Sequence, residues 1–227
     1  MSATSMMQMF PLLAMGGYLL GSIPFGLLIG RLRGVDVRRQ GSGNIGSTNV
    51  GRVLGRPWGY LCFLLDVGKG LVPVLWVGHY LHARAGEGAL SSADQWVWLA
   101  VGGATIVGHM CSIYLRFRGG KGVATSLGVV LGVWPYFTLT GLFAFAIWLA
   151  VWGLSRYVSL ASIAAALSFP VGFLLLIWRM PAWHAEELEP LVVFSCAMAI
   201  LVVIRHRSNI QRLLRGTEDR GGKRRMS

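Results

Sequence analysis

The chain has 227 residues, 54% of them hydrophobic and only 13% charged, with a formal charge of +12 and a mean hydropathy of +0.58. A soluble domain carries about 25% charged residues, so composition excludes an ordinary water-soluble fold and favours a membrane protein. Nucleic acid is excluded as a partner, because the basic residues lie between apolar runs; loops facing a cytosol bordered by anionic lipid account for the charge.

Seven apolar runs follow one another, at 7–30, 58–80, 95–115, 122–134, 137–154, 158–178 and 190–204. Each is expected to be a helix, since a spanning segment must satisfy its own backbone hydrogen bonds. The expected fold is all-α: a polytopic integral membrane helical bundle of about seven transmembrane helices, forming one domain over 1–227. The first run has no basic leader and no small-residue cleavage signal, and reads as a retained span. The fourth run is short, which suits a tilted or half-buried helix and makes six spans the alternative.

Basic residues set the orientation. Arg31, Arg33, Arg38, Arg39, Arg52 and Arg56 follow the first run. Arg116, Arg118 and Lys121 follow the third, and Arg156 the fifth. A basic tail from Arg205 includes Lys223, Arg224 and Arg225. The opposite loops hold Arg84 and Arg179 among acidic residues that include Glu87 and Asp94. This asymmetry predicts a cytosolic C-terminus and, with seven spans, an N-terminus outside. Gly17/Gly21, Gly26/Gly30 and Gly128/Gly132 have the spacing of close helix packing. Trp134, Tyr136, Trp178 and Trp183 lie near run ends and read as interface anchors. Cys62, Cys111 and Cys196 are isolated and form neither a disulfide framework nor a metal motif.

The chemistry concentrates in three places. The segment Gly41-Ser-Gly-Asn-Ile-Gly-Ser-Thr-Asn49, followed by Arg52, is dense in small donors. Glycines such as Gly41 and Gly43 can turn their N–H groups inward to cradle an anion. Ser42, Asn44, Ser47, Thr48 and Asn49 add polar groups, and Arg52 offers a fork for phosphate oxygens. The same composition also suits a flexible loop. Gly119-Gly-Lys-Gly122 leads into the fourth run with Lys121 at its centre. It is not a P-loop, because Lys121 is followed by Gly122 rather than Ser or Thr. It still combines N–H groups at a helix start with a lysine. In the tail, Arg205 precedes His206, and Asn209 lies at the i+3 position, where two residues of one helix share a face.

Lys69 falls inside the second run, with Asp66 three residues earlier. A charge at mid-bilayer costs roughly 2.5–3.5 kcal/mol, so the pair is expected to face a polar, protein-lined environment. It reads equally as a substrate-binding pair or as an ion pair holding helices together. His109 follows Gly108 near the end of the third run. No Ser/His/Asp set and no metal-ligand spacing is present; the polar groups are arranged around anions rather than a nucleophile.

These stretches together resemble the PlsY family of acyl-phosphate:glycerol-3-phosphate acyltransferases. The similar segments, in family order, are Gly21-Ser-Ile-Pro-Phe-Gly26, Gly41 to Arg52, Asp66-Val-Gly-Lys-Gly-Leu-Val-Pro73, Gly108-His109, Phe117-Arg-Gly-Gly-Lys-Gly-Val-Ala-Thr125 and Arg205 to Glu218. Ile45, Ser47, Cys111-Ser112 and Arg118 depart from the common pattern without removing its polar donors. The resemblance implies acyl transfer from acyl phosphate to the 1-hydroxyl of sn-glycerol 3-phosphate, giving lysophosphatidate and phosphate. That is the first acylation of phospholipid synthesis, carried out at a bacterial cytoplasmic membrane with the active site facing the cytosol. It implies catalytic roles for Ser42, Arg52, Lys121, His206 and Asn209. It implies substrate or phosphate binding by Gly41, Gly43, Asn44, Thr48, Asn49, Lys69, His109, Gly119, Gly120, Gly122 and Arg205. It requires no metal or cofactor; the partners are the two substrates and membrane lipids, and a monomer would suffice. The rival reading is a transporter of an organic phosphate, which would place its charges near mid-membrane and often in repeated halves.

Overall fold

Helices Ala3–Ser22 (α1) and Phe25–Leu32 (α2) come from the first apolar run, which is broken at Ile23-Pro24 because proline has no N–H to continue the ladder. The computed structural model describes residues 3–86 and 89–220; Glu87 and the basic residues Lys223, Arg224 and Arg225 lie outside them. A 3₁₀ turn at Val37–Arg39 precedes α3 (Ser47–Leu54), and α4 (Arg56–Ala85) and α5 (Ser92–Met110) are long. A second 3₁₀ turn, Ile113–Leu115, leads to α6 (Val123–Gly132). Then come α7 (Tyr136–Ser155), α8 (Val158–Arg179), α9 (Glu189–Arg205) and α10 (Arg207–Leu214). The described residues contain no strand.

Among the described residues five segments are long and apolar enough to cross a membrane: 10–32, α4, 92–115, α7 and α8. The pair α9 and α10, bent by 57°, makes a sixth if taken as one span. The fourth run is helical only over the ten residues of α6. At 1.5 Å per residue it reaches about 15 Å, half the thickness of a hydrocarbon core, so it is too short to span by itself. All seven runs are helical, but among the described residues five or six of them are long and apolar enough to be full-length spans.

The chain forms two compact units, 1–133 and 134–227. In the first, α1 packs on α5, α4 on α6, and α3 on α4. Gly21 and Gly108 make the α1–α5 crossing possible: a Cβ at Gly21 would strike the Thr105 carbonyl, and one at Gly108 the Tyr18 carbonyl. Gly128 does the same for α6, lying against the Val67 carbonyl of α4. Gly26 and Gly30 behave differently from the helix-packing expectation. They face loop backbone, at Ile45 and Val35, so α2 seats the following loops rather than another helix. In the second unit α8 packs against both α7 and α9. Phe137 meets Phe169 and Phe173 edge-on, at 5.2 and 5.4 Å between ring centres.

Candidate functional site

The first loop is organised by one buried side chain. Asn49, in the first turn of α3, accepts the Ser42 N–H at 2.8 Å through Oδ1. Its Nδ2 donates to the carbonyls of Val37 at 2.9 Å, Asn44 at 2.8 Å and Gln40 at 3.2 Å. Asn44 Oδ1 in turn accepts the Gly46 N–H at 2.8 Å, a local turn that asparagine favours. Gly41 and Gly43 both have positive φ, 60° and 68°, as an N–H nest requires. Asn49 therefore shapes the loop from beneath, while Ser42 and Thr48 are exposed at its mouth and Arg52 is half-buried. No side chain caps the α3 N-terminus.

The glycine-lysine turn folds back over the end of α5. Gly119 N donates to Met110 O and Gly120 N to His109 O, both at 3.0 Å. The His109 ring is buried directly under Gly120, where a Cβ would collide with Nε2. Gly122, at φ 85°, is the N-cap of α6, and Lys121 is half-buried between them. The two loops belong to one end of the first unit, because Ile45 from the first packs with Leu115, just ahead of the second, and Leu27.

Beneath them lies a buried polar cluster. Lys69 Nζ is 2.9 Å from Asp66 Oδ1 and donates at 2.8 Å to the Ile23 carbonyl, next to the α1–α2 break. It also stands 5.6 Å from the centre of the Phe25 ring. His109 Nδ1 is 3.6 Å from the same Asp66 oxygen, and the Cys62 thiol is 3.7 Å from the other. Only 1% of the Lys69 side chain and 2% of the Asp66 side chain are exposed, so protein, and not lipid, surrounds the pair. Lys69 thus ties α4 to the α1–α2 break, and Asp66 ties α4 to His109 below the glycine turn. Ser112 Oγ closes the neighbouring contact, donating to Ser22 O at 2.5 Å.

In the second unit, His206 sits at the bend between α9 and α10 and Asn209 in the first turn beyond. They do not lie on one uninterrupted helix face, as i, i+3 spacing had suggested; the 57° bend comes between α9 and Asn209. His206 Nδ1 is 2.8 Å from the Val202 carbonyl. A carbonyl can only accept, so Nδ1 carries the proton and Nε2 is the basic nitrogen of the neutral ring. Asn209 Nδ2 donates to Glu218 Oε1 at 2.6 Å. Glu218 also receives Ser159 Oγ at 2.6 Å and Arg212 Nε at 2.7 Å. Burial pushes the Glu218 carboxyl up, but hydrogen bonds from Ser159, Asn209 and Arg212 outweigh it and hold it below its ordinary value. Arg205, half-buried, ends α9 beside His206.

Sequence reasoning gave Glu218 and Ser159 no role. An acidic pair, Glu218-Asp219, embedded in a basic tail is the signal that could have found Glu218, since acids so placed gather donors. Among the described residues no three His, Cys, Asp or Glu side chains gather where a metal could sit.

Comparison with known proteins agrees with the helical fold. A family model for glycerol-3-phosphate acyltransferase matches residues 11–216. The glycerol-3-phosphate acyltransferase of Geotalea daltonii is 46% identical over 207 residues, covering 91% of this chain and 95% of its own. That of Geobacter sulfurreducens is 47% identical over 203 residues, covering 89% and 93%. The crystal structure of PlsY (YgiH), an integral membrane glycerol 3-phosphate acyltransferase, in its glycerol 3-phosphate form is 39% identical with a TM-score of 0.79, covering 94% of this chain and 96% of that one. Its lysophosphatidic acid form gives a TM-score of 0.76 over 93% and 94%. The chain belongs to the PlsY family of integral membrane glycerol-3-phosphate acyltransferases.

Proposed function

We propose that the chain, acting as a single domain over residues 1–227, transfers a fatty acyl group from acyl phosphate to the 1-hydroxyl of sn-glycerol 3-phosphate. The products are lysophosphatidate and inorganic phosphate. The enzyme would work as a monomer in a bacterial cytoplasmic membrane, its C-terminus and active site on the cytosolic side and its N-terminus outside. The observation that carries this reading is the pairing of two glycine loops, 41–49 and 119–122, at one end of the first unit with Arg52 and Lys121 beside them. Two anion cradles suit a reaction whose donor and acceptor both bear phosphate.

Acyl phosphate is a mixed anhydride, already activated, so the protein need not form an acyl-enzyme. Its work is to hold two anions together against their repulsion and aim a hydroxyl at the carbonyl carbon, worth about 7–11 kcal/mol at most. The C1 hydroxyl gives its proton to a base, for which the family resemblance offers His206, His109 or a phosphate oxygen of the substrate; the oxygen bonds to the carbonyl carbon; the tetrahedral centre collapses, breaking the bond to the phosphate oxygen. Phosphate leaves with the electron pair, its charge met by Arg52, Lys121 and the loop N–H groups. Ser42 and Thr48, exposed at the loop mouth, bind substrate oxygens.

Purified protein should release phosphate from acyl phosphate only when glycerol 3-phosphate is present, and Arg52→Ala should abolish transfer in a folded protein. Equal use of acyl-CoA with no use of acyl phosphate would overturn the donor assignment. Near-wild-type turnover of Arg52→Ala would overturn the site.

A further inference from the structure

A second basic feature lies beside the first loop and takes no part in the reaction above. It is a groove of about 640 Å³ between the two 3₁₀ turns, lined by Asp36, Arg38, Arg39, Arg116 and Arg118, with Tyr114 and Leu115 at its wall. All four arginines are exposed. Asp36 is fully engaged by Arg38, which reaches it through backbone N at 3.0 Å, Nε at 2.9 Å and Nη2 at 2.6 Å. The Arg38 side-chain hydrogen bond holds the Asp36 carboxyl well below the usual carboxylate range, so it stays ionised and committed. Arg39, Arg116 and Arg118 have no carboxylate partner among the described residues. Three arginine forks therefore converge on one groove with their charge uncompensated.

The backbone is bent to keep them there. Arg116 and Phe117 are consecutive non-glycine residues at positive φ, 50° and 62°. Each such residue is strained, and side chains held this way cluster at ligand clamps. The turn is fixed by Phe117 N donating to Ser112 O at 2.8 Å and Arg118 N to Leu115 O at 3.1 Å.

The surroundings say what kind of anion fits. The groove lies just beyond the C-terminal ends of α2 and α5, two elements of membrane-spanning segments, and so at the level of lipid head groups. Beside the arginines stand exposed apolar side chains: Ile113, 48% exposed, Tyr114, 58%, and Phe117, 63%. A soluble anion would have no use for that apolar rim, whereas a lipid presents phosphate and acyl chain together.

We infer that the groove formed by Arg38, Arg39, Arg116 and Arg118 binds the phosphate head group of a resident anionic phospholipid, whose chains lie along Ile113, Tyr114 and Phe117. The lipid would steady the reaction site, because the Val37 carbonyl within the first turn is one of the groups that Asn49 holds.

The test uses the full-length protein purified from detergent with phosphatidylglycerol or phosphatidylcholine as probe, and counts retained lipid by native mass spectrometry. Phosphatidylglycerol should be retained and phosphatidylcholine not, with retention falling steeply as salt rises. A basic residue near an anionic surface contributes a factor of about five, so Arg39→Gln with Arg116→Gln should retain phosphatidylglycerol roughly 25-fold less. Turnover of that variant in lipid-free detergent should match wild type. Equal retention by the variant, or by both lipids, would overturn the site. So would complete displacement by millimolar inorganic phosphate, which would mark a site for the free anion. A variant that instead loses affinity for the acyl donor in detergent would make the groove part of the reaction path and would also overturn the proposal. The salt and head-group arms need no mutation, so they stand even if the variant expresses poorly.

Discussion

Asn49→Ala is the substitution that most directly tests whether the first loop is pre-formed. The side chain makes three strong contacts, accepting from Ser42 N–H and donating to the Val37 and Asn44 carbonyls, and a weaker one to Gln40 O at 3.2 Å. An amide has two N–H donors, so the Gln40 contact shares a proton and adds little. At about 0.5–1.5 kcal/mol net for each of three hydrogen bonds, the loss is roughly 1.5–4.5 kcal/mol. If the loop conformation is what the transition state needs, kcat/KM for glycerol 3-phosphate falls by roughly 10- to 2000-fold. The helices, which do not depend on this loop, keep their elution profile in detergent.

Asn49→Asp separates the two halves of the effect. Aspartate keeps the acceptor for Ser42 N–H but turns a second oxygen toward three carbonyls, so it should be as impaired as alanine or worse. Steady-state kinetics with phosphate release as the readout decides the matter. Wild-type kcat/KM in either variant would refute the claim that Asn49 builds the loop from below.

Other outcomes follow from the same geometry. Lys69→Met leaves Asp66 as a buried, half-paired carboxylate and should cost about 3–5 kcal/mol, seen as loss of monodisperse protein in size-exclusion chromatography; adding Asp66→Asn should restore it. Gly120→Ala drives a Cβ into the His109 ring and displaces the turn carrying Lys121, so turnover should fall at least tenfold with the fold retained by circular dichroism. Because the folded-state pKa of Glu218 lies below its ordinary 4.5, its contacts stabilise fully above pH 4.5 and are lost as pH falls through the lowered value. Thermal inactivation measured between pH 3 and 6 should therefore accelerate at the acid end, and Glu218→Gln should flatten that limb.

Much of the architecture was legible because it follows from one-dimensional quantities. Apolar run length and the cost of an unsatisfied backbone in lipid dictate helices, and all seven runs are helical. The sixth-or-seventh span ambiguity also had a visible cause, the short fourth run, which proves to be ten helical residues. Breaks were harder. Pro24 interrupts the first run, yet a proline inside an apolar stretch does not always break it: Pro11, Pro73 and Pro170 lie within α1, α4 and α8. At the break the Ile23 carbonyl accepts the Phe25 N–H at 3.1 Å and also Lys69, a residue 46 positions away, and only tertiary structure supplies that second partner.

The site was legible as a set of residues but not as a division of labour. Ser42, Thr48 and Asn49 look alike in a sequence, as small polar groups in a glycine-rich loop. Their environments separate them: Ser42 and Thr48 are exposed, while Asn49 is 2% exposed and spends its amide on the chain. The same distinction explains Lys69 and His109. Lys69 reads equally as a substrate-binding residue or half of a structural ion pair, and His109 is a candidate through the family resemblance. The structure gives them partners in Asp66 and the glycine turn. It follows that substitutions in this protein should fall into two kinetic classes. Arg52 and Lys121 should change the barrier with an unaltered fold, because their charge is needed only as phosphate departs. Asn49, Asp66 and Lys69 should change stability or loop order first, and activity as a consequence, because their polar groups are already filled before any substrate arrives.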